Sequence, residues 1–215
     1  MAVQLRRKSR GTSRTGGTDV PISDSRRREI VAEAVRLMEE KGFAAMSVQH
    51  IADALAFSKA NFYHHIKSKE VLLREVFVDT YRLAIENISA IVSSGRSAPE
   101  RLNALIEFYV SLMLDRRAVM LIWFKERAHL GEPNLKEIIP LEQQLGLLLK
   151  QLYTEGKDQG YFRSMDTDVM RLAIFGMCFQ LTKLPPGHQL SRGEITRQLQ
   201  EFATSGLLIA PPREK

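Results

Sequence analysis

From residue 27 to residue 91 the apolar positions recur at helical spacing, and the pattern restarts three times, each time behind a serine. Arg27 to Lys41 carries Ile30, Val31, Ala34, Val35, Leu37 and Met38, a broad apolar stripe ended by Gly42. Ser47 opens a second segment with Val48, Ile51, Ala52 and Leu55 in phase, and Ser58 a third with Phe62, Tyr63 and Ile66. Ser68 opens a long fourth, through Val71, Leu72, Val76, Phe77, Tyr81, Ala84, Ile85, Ile88 and Ile91. A serine hydroxyl accepts hydrogen bonds from the free amides of a first helical turn, so Ser47, Ser58 and Ser68 predict N-caps. Two capped helices this short, with so tight a joint, cannot lie side by side and must cross steeply. That geometry is a helix-turn-helix, whose second helix can enter a DNA major groove.

Helical signals continue along the chain. Pro99 sits just inside the start of a segment with Leu102, Leu105, Ile106, Tyr109, Leu112 and Met113. Asp115 is placed to cap the next, RRAVMLIWFKERAHL, and Gly131 to close it. Leu135 to Tyr153 is apolar on a wide face and contains Pro140, which predicts a kink or a detached first turn. Gly156 and Gly160 predict a loop. Asp166 caps Thr167 to Leu184, stopped by Pro185 and Pro186; Ser191 caps a last segment ending near Leu208, before Pro211 and Pro212. There is no internal repeat and no strand alternation, so the expected fold class is all-α, with about nine helices.

The run GFAAMSVQHIADALAFSKANFYHHIKSKEVLL resembles the DNA-binding domain of TetR/AcrR-type transcriptional repressors. The match includes the pair Ile51-Ala52, the Ser58 cap, Tyr63 with His65, and Lys69 opening the next helix, and it covers roughly Arg26 to Phe77. Beyond it the chain resembles the family only in length and helical layout. Ala56 stands where the family usually has a turn glycine, and Ala60 where a second glycine is frequent. A positive φ costs a non-glycine residue about 1 kcal/mol, so either Ala56 carries that strain or the turn differs slightly. The resemblance implies an arm at residues 1–25, a helix-turn-helix domain at 26–70, and a larger ligand-binding and dimerisation domain at 71–210.

Charge placement adds to this picture. Residues 1–28 hold eight basic and two acidic side chains, and this +6 equals the net charge of the whole chain. Arg6, Arg7, Lys8, Arg10 and Arg14 lie in a stretch rich in Gly, Ser and Thr, expected to be disordered in isolation. Next to a helix-turn-helix, phosphate or minor-groove contact is favoured over a solubilising role. No apolar run is long enough to span a bilayer and no signal peptide is visible, so no membrane partner is expected. The single cysteine, Cys178, fits a reducing, cytoplasmic setting.

Lys59, Ala60 and Asn61 occupy the end of the third segment that a recognition helix presents to base edges. Asn pairs bidentately with adenine and Lys donates to guanine, so base readout is expected there in preference to an ordinary solvated surface. Following the family's pattern, Gln49 also reaches a base. Ser47, Ser58, Tyr63, His64, His65 and Lys69 complete the DNA-binding set, the hydroxyls, imidazoles and ammonium suiting phosphate oxygens. His64 and His65 diverge by roughly 100° on a helix and cannot share an ion, so no metal is expected. No phosphate loop, nucleophile elbow or spaced ligand set is present, and neither catalysis nor a cofactor is expected.

The resemblance implies a ligand pocket between the central helices. Phe108, Tyr109, Met113, Met120, Trp123, Phe124, Leu148, Leu152, Phe175, Met177 and Phe179 supply apolar lining, with Arg127, Gln180 and His129 as polar handles. Residue by residue, plain core is the competing reading. The last two helices predict a homodimer through a four-helix bundle: Ala173, Gly176, Met177 and Gln180 on one stripe, Ile195, Leu199, Phe202, Ala203 and Gly206 on the other. The expected function is a ligand-responsive repressor, released from a pseudo-palindromic operator by a hydrophobic small molecule, an acyl-CoA or related acyl compound being one specific case. The alternatives are an effector-independent architectural DNA binder and a helical adaptor.

Overall fold

The computed structural model describes residues 22–127, 130–185 and 187–208. The arm residues Arg6 to Arg14, together with His129, Pro186, Pro211 and Pro212, lie outside them. Among the described residues the chain is all-α, as the sequence predicts. α1 (Ile22–Lys41), α2 (Val48–Ala54) and α3 (Lys59–His65) form the first unit. α4 (Lys69–Val92) leads out of it to α5 (Ala98–Asp115), α6 (Arg117–Glu126), α7 (Glu132–Asp158), α8 (Thr167–Phe179) and α9 (Arg192–Leu207). A 3-10 turn, Gln180–Lys183, tightens the end of α8. An isolated antiparallel bridge pairs Phe162 with Leu208.

The serine caps form as predicted. Ser58 Oγ accepts from Asn61 N at 3.1 Å, Ser68 Oγ from Val71 N at 3.1 Å, and Ser47 Oγ from His50 N at 3.2 Å. His50 completes a reciprocal box, its Nδ1 accepting from Ser47 N at 3.3 Å, a task usually given to Glu or Gln. Asp166 caps α8 and Ser191 caps α9.

Several boundaries differ from expectation. α1 starts at Ile22, inside the expected arm, and α8 stops at Phe179, before the expected Leu184. Asp115 ends α5, and its carboxylate pairs with Arg192 of α9 instead of capping α6. α6 ends at Glu126, and Gly131 is the N-cap of α7, not the stop of α6. α7 begins upstream of Leu135 and continues through Pro140 as one helix, because buried Ile138, Leu149 and Leu152 anchor it on both sides of the proline. Gly156 lies inside α7, not in a loop: its bare Cα receives the buried Phe162 ring, which a Cβ there would overlap. Gly160, at φ +79°, is the residue that turns the chain.

Apolar side chains form two clusters. One joins α1–α4 (Ile30, Leu37, Met38, Ile51, Phe62, Leu72, Phe77) to Val119 of α6 and Ile138 of α7. The other is built by α5, α7, α8 and α9 around Leu102, Ile106, Tyr109, Met113, Leu152, Phe162 and Cys178. α4 packs along α7, and each helix contributes to both clusters. Burial pushes the Cys178 thiol up to about 12, which keeps it protonated and unreactive at neutral pH.

Candidate nucleic-acid interface and effector crevice

The α2–α3 turn reverses the chain through Ala56, at φ +53°. Ala56 therefore carries the left-handed strain, and the turn is not remodelled to avoid it. Ala56 N donates to Asp53 O at 3.2 Å and Phe57 N to Ala52 O at 2.7 Å, closing the turn. The guanidinium of Arg26 lies 5.5 Å over the Phe57 ring, tying the turn to α1. Phe62 is fully buried on α1 and α2, which fixes the rotation of α3 about its axis. With Phe62 inward, Lys59, Ala60, Asn61, Tyr63 and His64 are exposed and His65 is half-buried.

The other DNA-site candidates fall around this face. Gln49 is exposed one turn into α2, where its side-chain amide is held by Asp53. The His64 and His65 rings stand edge to face 5.2 Å apart, and no cluster of three metal-ligating side chains occurs among the described residues. Lys69 is pinned: its ammonium donates to Phe43 O at 3.3 Å and Met46 O at 3.4 Å and lies 4.2 Å over the Phe43 ring. It thus fixes the α1–α2 loop beside the face, while remaining exposed.

The predicted pocket residues divide. Phe108, Met113, Met120, Leu148, Phe175 and Phe179 belong to the α5–α9 cluster. Phe175 and Phe179 stack at 6.0 Å, and Phe124, 67% exposed, extends the row 5.0 Å from Phe179. Trp123 belongs to the other cluster, against Tyr81 at 6.3 Å. Arg127 is engaged by Glu142, Nε at 2.6 Å and Nη2 at 2.5 Å, and Glu142 also accepts from Tyr81 Oη at 2.8 Å. Burial alone would raise the Glu142 carboxyl, but the bonds from Arg127 and Tyr81 hold it below the usual range. Desolvation and the facing carboxylate push the Tyr81 phenol up. This triad bolts α4 to α7 rather than presenting a free cation.

A crevice lies elsewhere, between α5, α7 and α8. Leu102, Leu105 and Tyr109 form one wall, Leu149, Leu152 and Tyr153 the second, and Met170 and Ile174 the third, with Thr167 and Arg171 as its polar members. It encloses about 20 Å³, space for about one water. Arg171 reaches Asp168 only at 3.5 Å, and Asp168 is itself exposed. Of the pocket candidates in the sequence only Tyr109 and Leu152 line this crevice; Phe108, Met113, Met120, Trp123, Phe124, Arg127, Leu148, Phe175 and Phe179 do not, because they pack in the cores or pair elsewhere. Thr167 and Arg171, one helical turn apart at the start of α8, were not among the candidates.

The two C-terminal stripes also divide. Ala173, Gln180, Phe202 and Gly206 are exposed, with Gly176, Met177 and Leu199 half-buried. Ile195 and Ala203, in contrast, are buried in the chain's own core, because the facing helix of α9 is α5. Val169 and Leu172, at 55% and 58% exposure, add apolar area to the α8 face, beyond the predicted set. A Cβ at Gly176 or Gly206 would meet nothing within 4 Å.

Comparison with known proteins agrees with this layout. The family model "Bacterial regulatory proteins, tetR family" matches residues 30–76, and "Tetracyclin repressor-like, C-terminal domain" matches residues 95–207. The HTH-type transcriptional repressor KstR2 of Mycolicibacterium smegmatis is 25% identical over 186 residues, covering 85% of this chain and 91% of that protein. KstR2 of Mycobacterium tuberculosis is 27% identical over 187 residues, covering 86% and 94%. Among solved structures, AibR in complex with isovaleryl coenzyme A and operator DNA superposes with a TM-score of 0.70 at 26% identity, covering 82% of this chain and 97% of that one. A TetR/AcrR-family regulator from Thermobifida fusca gives 0.71 at 26%, covering 85% and 98%. No helix among the described residues is long and apolar enough to cross a membrane. With both halves of the chain matched, the protein belongs to the tetR family of bacterial transcriptional regulators.

Proposed function

We propose that the protein is a homodimeric repressor that leaves a pseudo-palindromic operator when a hydrophobic acyl compound, as acid or coenzyme A thioester, enters the α5/α7/α8 crevice. The observation that carries the DNA half is the end of α3: Ser58 caps it, Phe62 fixes its rotation, and Lys59 and Asn61 stand exposed where base edges would lie. The effector half rests on the crevice. Its walls are apolar and its one cation, Arg171, is loosely held, whereas Arg127 is committed to Glu142. Similarity to AibR, crystallised with isovaleryl coenzyme A and operator DNA, supports the acyl class.

Closure of the crevice supplies the coupling. A small-molecule site needs roughly 300 Å³ or more, so an effector enters only by parting α7 and α8 from α5. α7 packs along α4, and α4 starts at Lys69 beside the reading face, so parting tilts that face. In a dimer the separation of the two recognition helices, about 35 Å for one turn of DNA, then changes. By linkage, operator weakens effector binding by the same factor.

Duplexes retained by the purified protein from a random-sequence library define the operator, and acyl-CoA thioesters and free acids of increasing length are then titrated in. The expected result is release of the selected duplex and a change in Trp123 emission over one concentration range. Absence of both responses excludes the acyl class. Retention without sequence enrichment, with a steep salt slope, identifies an architectural binder instead.

A further inference from the structure

Helix α6 starts without a cap of its own. Its N-cap residue, Arg116, gives the first turn no side-chain bond; its guanidinium turns to α4, donating to Asp79 Oδ2 at 2.7 Å and Thr80 Oγ1 at 3.0 Å. First-turn amides have no acceptor within their helix. Here the acceptor comes from the DNA-binding half: Glu39 of α1 takes the Ala118 N–H on both oxygens, at 2.8 and 2.9 Å, and the Val119 N–H on Oε1 at 3.3 Å. A carboxylate on free amides at the positive end of a helix is a charge-assisted contact, short in range and sensitive to orientation.

The point of contact straddles the two cores. Val119 is buried with Ile30, Leu37 and Met38 of the DNA-binding half, while Met120, the next residue, is buried with Tyr109 and Phe179 of the effector half. The start of α6 is therefore held by α1 through Glu39 and by α4 through Arg116, and its side chains enter both cores. A rotation of α1 relative to α6 must break or re-aim the Glu39 bonds.

We propose that Glu39 is a positioning residue that ties the DNA-binding helices to α6, so that operator occupancy and the placement of α6 sense each other through this carboxylate. The proposal rests on the repressor reading above. Because Glu39 is the acceptor for the Ala118 and Val119 amides, their hydrogen exchange reports the contact directly, without any effector.

Exchange is measured in the full-length chain, free and bound to the selected duplex. In wild type the duplex changes exchange at Ala118 and Val119 by about five-fold or more, the lower end of typical coupling between sites. In E39A that response falls below about two-fold and duplex affinity shifts by about five-fold, while α9 amides exchange as in wild type. E39D, which keeps the carboxylate, restores part of the response, and E39Q, with one acceptor oxygen left, lies between. A merely structural cap would lower protection equally in free and bound protein and leave wild type unresponsive to DNA. An unresponsive wild type, or an E39A protein that still responds, overturns the proposal. A wild type that retains no duplex at all overturns the repressor reading first, before any exchange is measured.

Discussion

The caps of α2, α3 and α4 and the polar ties between the helices that follow differ in reach. In the reading face each cap closes over three residues of sequence: Ser47 with His50, Ser58 with Asn61, Ser68 with Val71. In the effector half the polar ties span far more chain, 15 residues for Arg127–Glu142, 54 for Arg101–Glu155, 77 for Asp115–Arg192 and 97 for Gln200–Asn103. A cap within one helix is not altered by moving that helix against another, and the closed turn from Ala52 to Phe57, with Phe62 buried beneath it, carries α2 and α3 together. A tie between distant helices breaks whenever those helices part. Parting of these helices would therefore break ties, whereas the caps that set the side chains of α2 and α3 would stay closed.

The largest effect should come from the outermost surface of the effector half. Phe202 and Ala203 are neighbours on α9, yet Phe202 is 73% exposed and Ala203 only 7%. Phe202→Glu should leave the fold intact, abolish the dimer, and reduce operator binding to the non-specific level, about 10³-fold or more. Ala203→Glu should instead unfold the chain, because it buries an unpaired charge against α5. Sedimentation and circular dichroism separate the two outcomes. A dimeric Phe202→Glu protein would place the two-fold interface elsewhere.

At the reading face, Asn61→Ala should cost about 1–3 kcal/mol on the selected duplex and relax preference at one base pair. Lys69→Ala should weaken binding evenly across sequences and lower the salt slope by at most about one, since its ammonium also holds the Phe43 and Met46 carbonyls. Competition binding against a mutated duplex set distinguishes the roles. Equal losses on selected and random DNA for both variants would erase the distinction between base readout and positioning.

This difference in reach also governs what could be read from the sequence. Ser47, Ser58 and Ser68 announce their helices because a cap and its amide lie within one turn. Phe62, by its place in the period, announces which side of α3 faces outward. The place of the crevice is not legible in the sequence, since its three walls come from helices far apart in the chain. Arg127 looks free along the chain, and only folding brings Glu142 and Tyr81 to it. Asp115 has the chemistry of a cap, yet Arg192, far along the chain, competes for it and wins. Gly156 reads as a loop until Phe162 is folded onto it. Glu39 carries no local signal at all, since the helix it caps begins 78 residues later with Arg117.

A smaller effect tests the non-local ties themselves. Glu142→Gln should cost about 1 kcal/mol, because it leaves Arg127 with a neutral partner and both side chains are partly solvated. The folded Glu142 carboxyl sits below its unfolded value, so its contribution is complete above the unfolded carboxyl range and is lost as pH falls through the folded value. Wild type and variant should therefore differ at pH 7 in chemical denaturation, and the gap should narrow as pH falls below the usual carboxylate range. A gap that persists at acid pH would mean that Glu142 acts through packing, not charge.

The smallest effect is expected where the reading face carries its only left-handed non-glycine residue among those described, Ala56 at φ +53°. A side chain in that region costs about 1–2 kcal/mol relative to the right-handed one, and glycine removes the cost. Glycine also gives the unfolded chain more freedom, which opposes the gain by about 0.4–1 kcal/mol. Ala56→Gly should thus stabilise the protein by about 0.5 kcal/mol, a rise of about 1–2 °C in thermal midpoint for a chain of this size. Ala56 is exposed and its backbone bond to Asp53 does not involve the side chain, so the turn keeps its shape. Operator affinity and effector response should both stay at wild-type values, since neither the Ser58 cap nor any tie between distant helices is touched. A stabilised variant with altered operator affinity would show that the strain at Ala56 sets the crossing of α2 and α3, and the reading face would then not be the rigid unit that its local caps imply.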